Sequence, residues 1–206
     1  MSRATLTLFA ATVLGFYALL WGAELLFPKS AASAIVLFST IALGVGIVPP
    51  GWNLLPKKLG IYSLLLLGLL IISAAMAAWL LTLFRIPLPY DFTTLNITAA
   101  LGGIFVFAGI EELLFRQVMH RWLEQRQVPR RSIVIATALA YAGGHLGPIF
   151  TGSSIGVAFY LLQSVFLIWI GVLLGELRNT TGSWLIPWLG HFGYNIAVLY
   201  VLSVAH

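Results

Sequence analysis

The chain has 206 residues, of which 60% are hydrophobic and only 8% charged, with a mean hydropathy of +1.00. A soluble domain carries about a quarter charged residues, so an ordinary soluble fold is excluded and the composition describes a polytopic membrane protein. The net charge of +5 comes from scattered basic residues with no run interleaved with aromatics, which excludes a nucleic-acid surface, and the absence of cysteine excludes disulfides, thiolate zinc sites and a cysteine nucleophile.

A bilayer crossing takes about 20 apolar residues, and seven segments qualify, at 5–27, 31–48, 61–84, 95–119, 132–148, 155–175 and 183–204. The first is too long for a signal-peptide core and lacks a small-residue cleavage site, so it is read as a retained helix. Proline, glycine and small polar residues mark the breaks: Pro28-Lys29-Ser30, Pro49-Pro50-Gly51, Pro87-Leu-Pro89, Val128-Pro129, Thr151-Gly-Ser-Ser154 and Asn179-Thr-Thr-Gly182. No loop has room for a soluble domain and no repeat is visible. The expected fold is therefore all-α: one integral membrane domain over 1–206, a transmembrane helix bundle of about seven spans (eight if the second segment is split) with a polar cavity inside the membrane and a motif-bearing core at 95–204.

Orientation follows from the basic residues at the span ends. With the N-terminus inside, inside segments hold Arg3, Lys57, Lys58, Arg121, Arg126, Arg130, Arg131 and Arg178, against Lys29 and Arg85 outside. That bias predicts a cytoplasmic N-terminus and an external C-terminus. Small size and the lack of organelle signals suggest a bacterial inner membrane. Arg121 to Arg131 enforces topology, with anionic lipid as a second use; Glu176 and Arg178 are expected at the inner surface, and His120 at the interface. Gly102-Gly103 and Gly143-Gly144 are read as places where helices approach closely.

The fourth segment carries an expensive anomaly, Ala108-Gly-Ile-Glu-Glu-Leu-Leu-Phe-Arg116. Charges in hydrocarbon cost several kcal/mol unless paired or hydrated. Glu112 and Arg116 are four apart with the acid first, the favourable order for a same-face pair, while Glu111 points about 100° away. One acid is thus neutralised locally and the other is free for chemistry. Two later clusters are placed to meet it: Tyr141-Ala-Gly-Gly-His145 in the fifth segment and His191-Phe-Gly-Tyr-Asn195 in the seventh, each with its polar pair four apart on one helix face. At about 1.5 Å per residue, Glu111, His145, His191 and Asn195 all fall at middle depth.

A carboxylate and a neutral imidazole around a water form a base side, and amide and imidazole donors opposite form an oxyanion side. Glu111, His145 and His191 are equally a ligand set that a divalent metal such as zinc would accept, although two histidines and a glutamate within one helical turn are absent. No serine elbow is visible. The bland readings are a buried ion network holding a bundle, two satisfied core histidines and an asparagine bridging helices. A proton-coupled transporter would use the same buried acids and histidines as a relay.

The order Glu-Glu-x-x-x-Arg, then Tyr141 four residues before His145, then His-x-x-x-Asn, resembles the CAAX protease and bacteriocin-processing family of intramembrane endopeptidases. The approach Gly175-Glu-Leu-Arg-Asn-Thr-Thr-Gly-Ser-Trp-Leu-Ile-Pro-Trp-Leu-Gly-His191 is also similar, so the resemblance covers about half the chain. It implies a helical membrane fold with a cavity open to the cytosol and a peptide or protein substrate, prenylated in some relatives. By position, Glu111 and His145 would activate water, His191 and Asn195 would hold the oxyanion, and Glu112 with Arg116 would be the structural pair. Tyr141 stands where the family pattern usually has phenylalanine. A silent relative that binds a peptide without cutting it, as an immunity or scaffold protein, is the other reading.

Overall fold

A computed structural model describes residues 3–26, 56–57, 59–86, 97–146 and 154–205. The described residues are helical, with no strand among them: α1 (Arg3–Leu26), α2 (Ile61–Leu83), α3 (Ile97–Glu112), a π-helical segment (Leu113–Met119), α4 (His120–Gln125), α5 (Arg130–Gly144), α6 (Ser154–Thr181) and α7 (Leu185–Ala205). Among the described residues three helices are long and apolar enough to cross a membrane by themselves: Ile61–Leu83, Val157–Thr181 and Leu185–Val204. On α2, Leu64, Ile71, Ile72 and Trp79 are all more than half exposed. An outward face this apolar suits hydrocarbon rather than water.

The remaining expected spans fare differently. The segment at 31–48 lies outside the described residues. The fourth is one continuous run whose middle changes from α to π winding where the charges begin. The fifth is shorter than expected: α5 has 15 residues, about 22 Å of rise against a hydrocarbon core of about 30 Å. Its last turn tightens, with the His145 N–H donating to Ala142 and the Leu146 N–H to Gly143, and the helix ends at Gly144, four positions before Pro148.

α5 packs along α6, while α2 packs against both α6 and α7, and α3 lies on α7. The α5–α6 approach is close because Gly171 has no side chain: a Cβ there would stand 2.9 Å from the Cα of Ala138. Of the glycine pairs expected to allow such contact, Gly144 does, since its missing Cβ makes room for the Tyr17 ring of α1, but a Cβ at Gly102 or Gly103 would meet nothing within 4 Å. One buried cluster joins α1, the π segment and α5 through Phe9, Tyr17, Phe115, Ile133 and Tyr141; a second joins α2, α6 and α7 through Leu70, Ile170, Leu177 and Tyr194. The turn into α7 is set by Gly182 at φ +67°, a conformation that disfavours any side chain, and by the Ser183 hydroxyl, which accepts the Leu185 N–H at 3.1 Å. These two residues fix where α7 starts, and hence the height at which it presents His191.

Candidate active site

Glu111 and Glu112 close α3, and the winding widens directly after them. Such π turns recur at functional sites. Glu112 and Arg116 are both fully buried, with Arg116 Nε 3.1 Å from Glu112 Oε2, so the expected ion pair is present. The backbone carbonyl of Arg116 accepts the Nε–H of Arg178 at 3.1 Å. Arg178 is therefore a buried brace, only 5% exposed, and not the surface cation its place near a span end implied. His120 is likewise buried; its Nε2 is 3.1 Å from Asn179 Oδ1 and 3.5 Å from Glu124 Oε1. Burial pushes the His120 imidazole below its ordinary range, and the hydrogen bond from His120 pulls the Glu124 carboxyl down.

His145 owes its setting to the tightened end of α5. The Tyr141 carbonyl would ordinarily accept the His145 N–H four residues on, but that N–H turns to Ala142. The freed carbonyl instead accepts the His145 ring Nδ1–H at 3.1 Å. A neutral imidazole has a single N–H, so Nε2 is left as an acceptor, and it lies 3.6 Å from Glu111 Oε1. On α7, His191 is 2% exposed; its Nδ1 is 3.1 Å from Glu112 Oε1 and its Nε2 is 3.0 Å from the Tyr141 hydroxyl. The same Nε2 is 3.7 Å from Glu111 Oε2. Glu111 thus faces one imidazole with each oxygen.

A cavity of about 430 Å³ opens on this group. Glu111, Tyr141, His145, His191 and Asn195 line its polar end, and Leu81, Phe159, Leu162, Val198 and Leu202 line an apolar remainder. Asn195 faces this space, with no side-chain hydrogen bond among the described residues. Glu111 and His145 are about a third exposed (30% and 29%), whereas Glu112 is fully enclosed. One acid meets the cavity and the other is sealed behind it.

A family model described as "Type II CAAX prenyl endopeptidase Rce1-like" matches residues 93–197, just over half of the chain. The chain belongs to this Rce1-like family. No curated protein and no solved structure matches it. As a member of an Rce1-like protease family with apolar helices of spanning length, it is an integral membrane protein, and the matched region encloses Glu111, Glu112, Arg116, Tyr141, His145, His191 and Asn195.

A divalent metal would have to draw on Glu111, His145 and His191. Among the described residues no group of three His, Cys, Asp or Glu side chains is arranged to hold a metal ion. The His191 Nε2 that would have to turn to such an ion faces the Tyr141 hydroxyl at 3.0 Å.

Tyr17, Gln163 and Tyr194 escaped sequence reasoning, as did the second contact of Glu112. Glu112 is shared between Arg116 and His191, so the ion pair is continuous with the site. Tyr17 of α1 donates its hydroxyl to the Ala140 carbonyl and lays its ring on Gly144, steadying the end of α5. Gln163 and Tyr194 also line the cavity. Only Tyr194 had a signal, one position before Asn195 in the third motif.

Proposed function

We propose that this protein is an intramembrane endopeptidase of the CAAX-protease type, hydrolysing a peptide bond with water activated by Glu111 and His145. The observation that carries the reading is the position of one cavity-facing carboxylate between two imidazoles from two other helices, at 3.6 and 3.7 Å. Glu111 Oε1 and His145 Nε2 are both acceptors, and a water donating to both is held with a lone pair free for attack. As its oxygen bonds to the scissile carbonyl carbon, one proton passes to Glu111 and the carbonyl π pair moves to oxygen. The Asn195 amide and the His191 side of the cavity face that negative charge. When the C–N bond breaks, the proton on Glu111 goes to the departing nitrogen. No step is routed through a metal.

The apolar length of the cavity supports a substrate whose reactive tail adjoins a hydrophobic group, a prenylated peptide being the class that fits the family's description. The proposed setting is a bacterial inner membrane, with N-terminus inside and C-terminus outside, and with membrane lipid against the apolar faces and the basic Arg121–Arg131 turn.

The test offers purified protein in detergent a set of farnesylated and unprenylated peptides and identifies products by mass spectrometry. Cleavage by the wild type is expected, with Glu111→Gln and His145→Ala reducing it to background while thermal stability is kept. Proton-driven uptake into liposomes with no cleavage would replace the hydrolase by a carrier, and peptide binding without cleavage by a silent scaffold.

A further inference from the structure

We propose that the Tyr141 hydroxyl, rather than a ring N–H of His191, is the donor that meets the carbonyl oxygen of the scissile bond on that side of the cavity. The proposal rests on the hydrolase reading and assigns a catalytic role to a side chain that stands where the resembled pattern usually has phenylalanine.

The direction of the hydrogen bonds decides the matter. Glu112 Oε2 stands 3.1 Å from Arg116 Nε in an ion pair, and the carboxylate of an ion pair only accepts. Its Oε1 stands 3.1 Å from His191 Nδ1, so Nδ1 carries the ring proton. In the neutral ring Nε2 is then a bare acceptor and has nothing to donate to an oxyanion. Its partner at 3.0 Å is the Tyr141 hydroxyl, which must donate to it. The other polar atom facing Nε2 is Glu111 Oε2 at 3.7 Å, again an acceptor. The chain therefore runs from Tyr141 O–H to His191 Nε2, and from His191 Nδ1–H to Glu112 and Arg116.

Attack by water reverses the first link. The proton that Glu111 takes from the water passes to His191 Nε2 once the gap closes by under about 1 Å, a normal tightening on substrate binding. His191 becomes an imidazolium that donates Nδ1–H to Glu112 and Nε2–H to the Tyr141 oxygen. The hydroxyl hydrogen is thereby released and points to the substrate oxygen, which has just received the carbonyl π pair. A bond has formed between water oxygen and carbon, the positive charge on His191 balances the negative charge on the oxyanion, and the proton returns through Glu111 to the leaving nitrogen when C–N breaks. Tyr141 is held for this role: its ring lies edge-on to Phe115, His145 and His191, with the Arg116 guanidinium 5.6 Å from its centroid. It is also a wall of the cavity.

Tyr141→Phe keeps the ring and removes the donor. On whichever peptide the wild type cleaves, kcat is expected to fall about 100- to 1000-fold, the loss typical of one oxyanion donor, with KM unchanged. In protein labelled with 15N-histidine, His191 of the resting wild type is expected to be protonated at Nδ1 and bare at Nε2, and the Nε2 resonance to move in Tyr141→Phe. If that variant does not fold, 3-fluorotyrosine placed at 141 keeps the shape and strengthens the donor; a changed kcat is expected and an unchanged one overturns the proposal. Full activity of Tyr141→Phe overturns it and leaves the hydrolase standing, as does a resting His191 protonated at Nε2. A wild type that cleaves none of the peptides removes both.

Discussion

Two adjacent glutamates do different work because of what each oxygen faces. Glu112 is sealed, with one oxygen on Arg116 and the other on His191, whereas Glu111 is open to the cavity. Removing one partner of a buried pair strands the other charge, at about 3–5 kcal/mol. Arg116→Ala is accordingly expected to lower thermal stability in detergent by that amount, and Glu111→Ala, which leaves no sealed charge behind, to stay within about 1 kcal/mol. A larger loss for Glu111→Ala would reverse the division into structural and catalytic acid. That the two side chains face different ways was legible from the chain, because a turn of about 100° per residue sends neighbours to different faces. The second contact of Glu112 was not, because it depends on how α7 is rotated against α3, and four-residue spacing within each helix carries no information about rotation between them.

At the level of elements, hydropathy located the helices better than it located their ends. A run of apolar residues continues past Gly144, yet α5 ends there, because its last turn closes with shorter-range hydrogen bonds and frees a carbonyl for His145. The π winding of Leu113–Met119 was illegible for a related reason: over seven residues the same side chains suit either pitch. Arg178 was counted among surface cations because a positive charge near a span end usually is one; its actual partner is a backbone carbonyl, which no residue pattern encodes. The joint it braces also holds His120 and Glu124, and this predicts how the protein responds to acid. Burial lowers the His120 value below its ordinary 6.5, so the unfolded chain binds more protons as pH falls below 6.5, and stability that is complete above that value is lost. Glu124, lowered chiefly by its hydrogen bond with His120, adds stability that is present above 4.5 and fades as pH falls through its folded value. Both signs agree. Melting in detergent followed from about pH 7.5 to about pH 4 is expected to weaken in two stages, the first absent in His120→Asn; a melting point that rises on acidification would contradict both assignments.

Across the whole molecule, the division between a sealed brace and an open cavity has a side, and that side can be measured. The exposed basic residues Arg126, Arg130 and Arg131 gather at the turn between α4 and α5, at the same end of the π segment as the buried His120 joint, whereas Arg85 projects from the far end of α2. With the buried Arg178 left out, the count of basic residues at the inner ends falls from eight to seven against two, a bias that still favours the proposed cytoplasmic α4–α5 turn. Because the chain contains no cysteine, a single introduced thiol reports its own side without a background. Arg126→Cys and Arg85→Cys both substitute exposed positions, the first at the cost of a surface stack of the Arg126 guanidinium on the Trp122 ring at 3.8 Å. In intact cells a membrane-impermeant maleimide is expected to label Arg85→Cys and spare Arg126→Cys, and inverted vesicles are expected to give the opposite pattern. Labelling of Arg126→Cys from outside would invert the proposed topology. The basic turn and the inner ends of the helices that carry Glu111 and His145 would then belong to the exterior, and a substrate would have to be sought there.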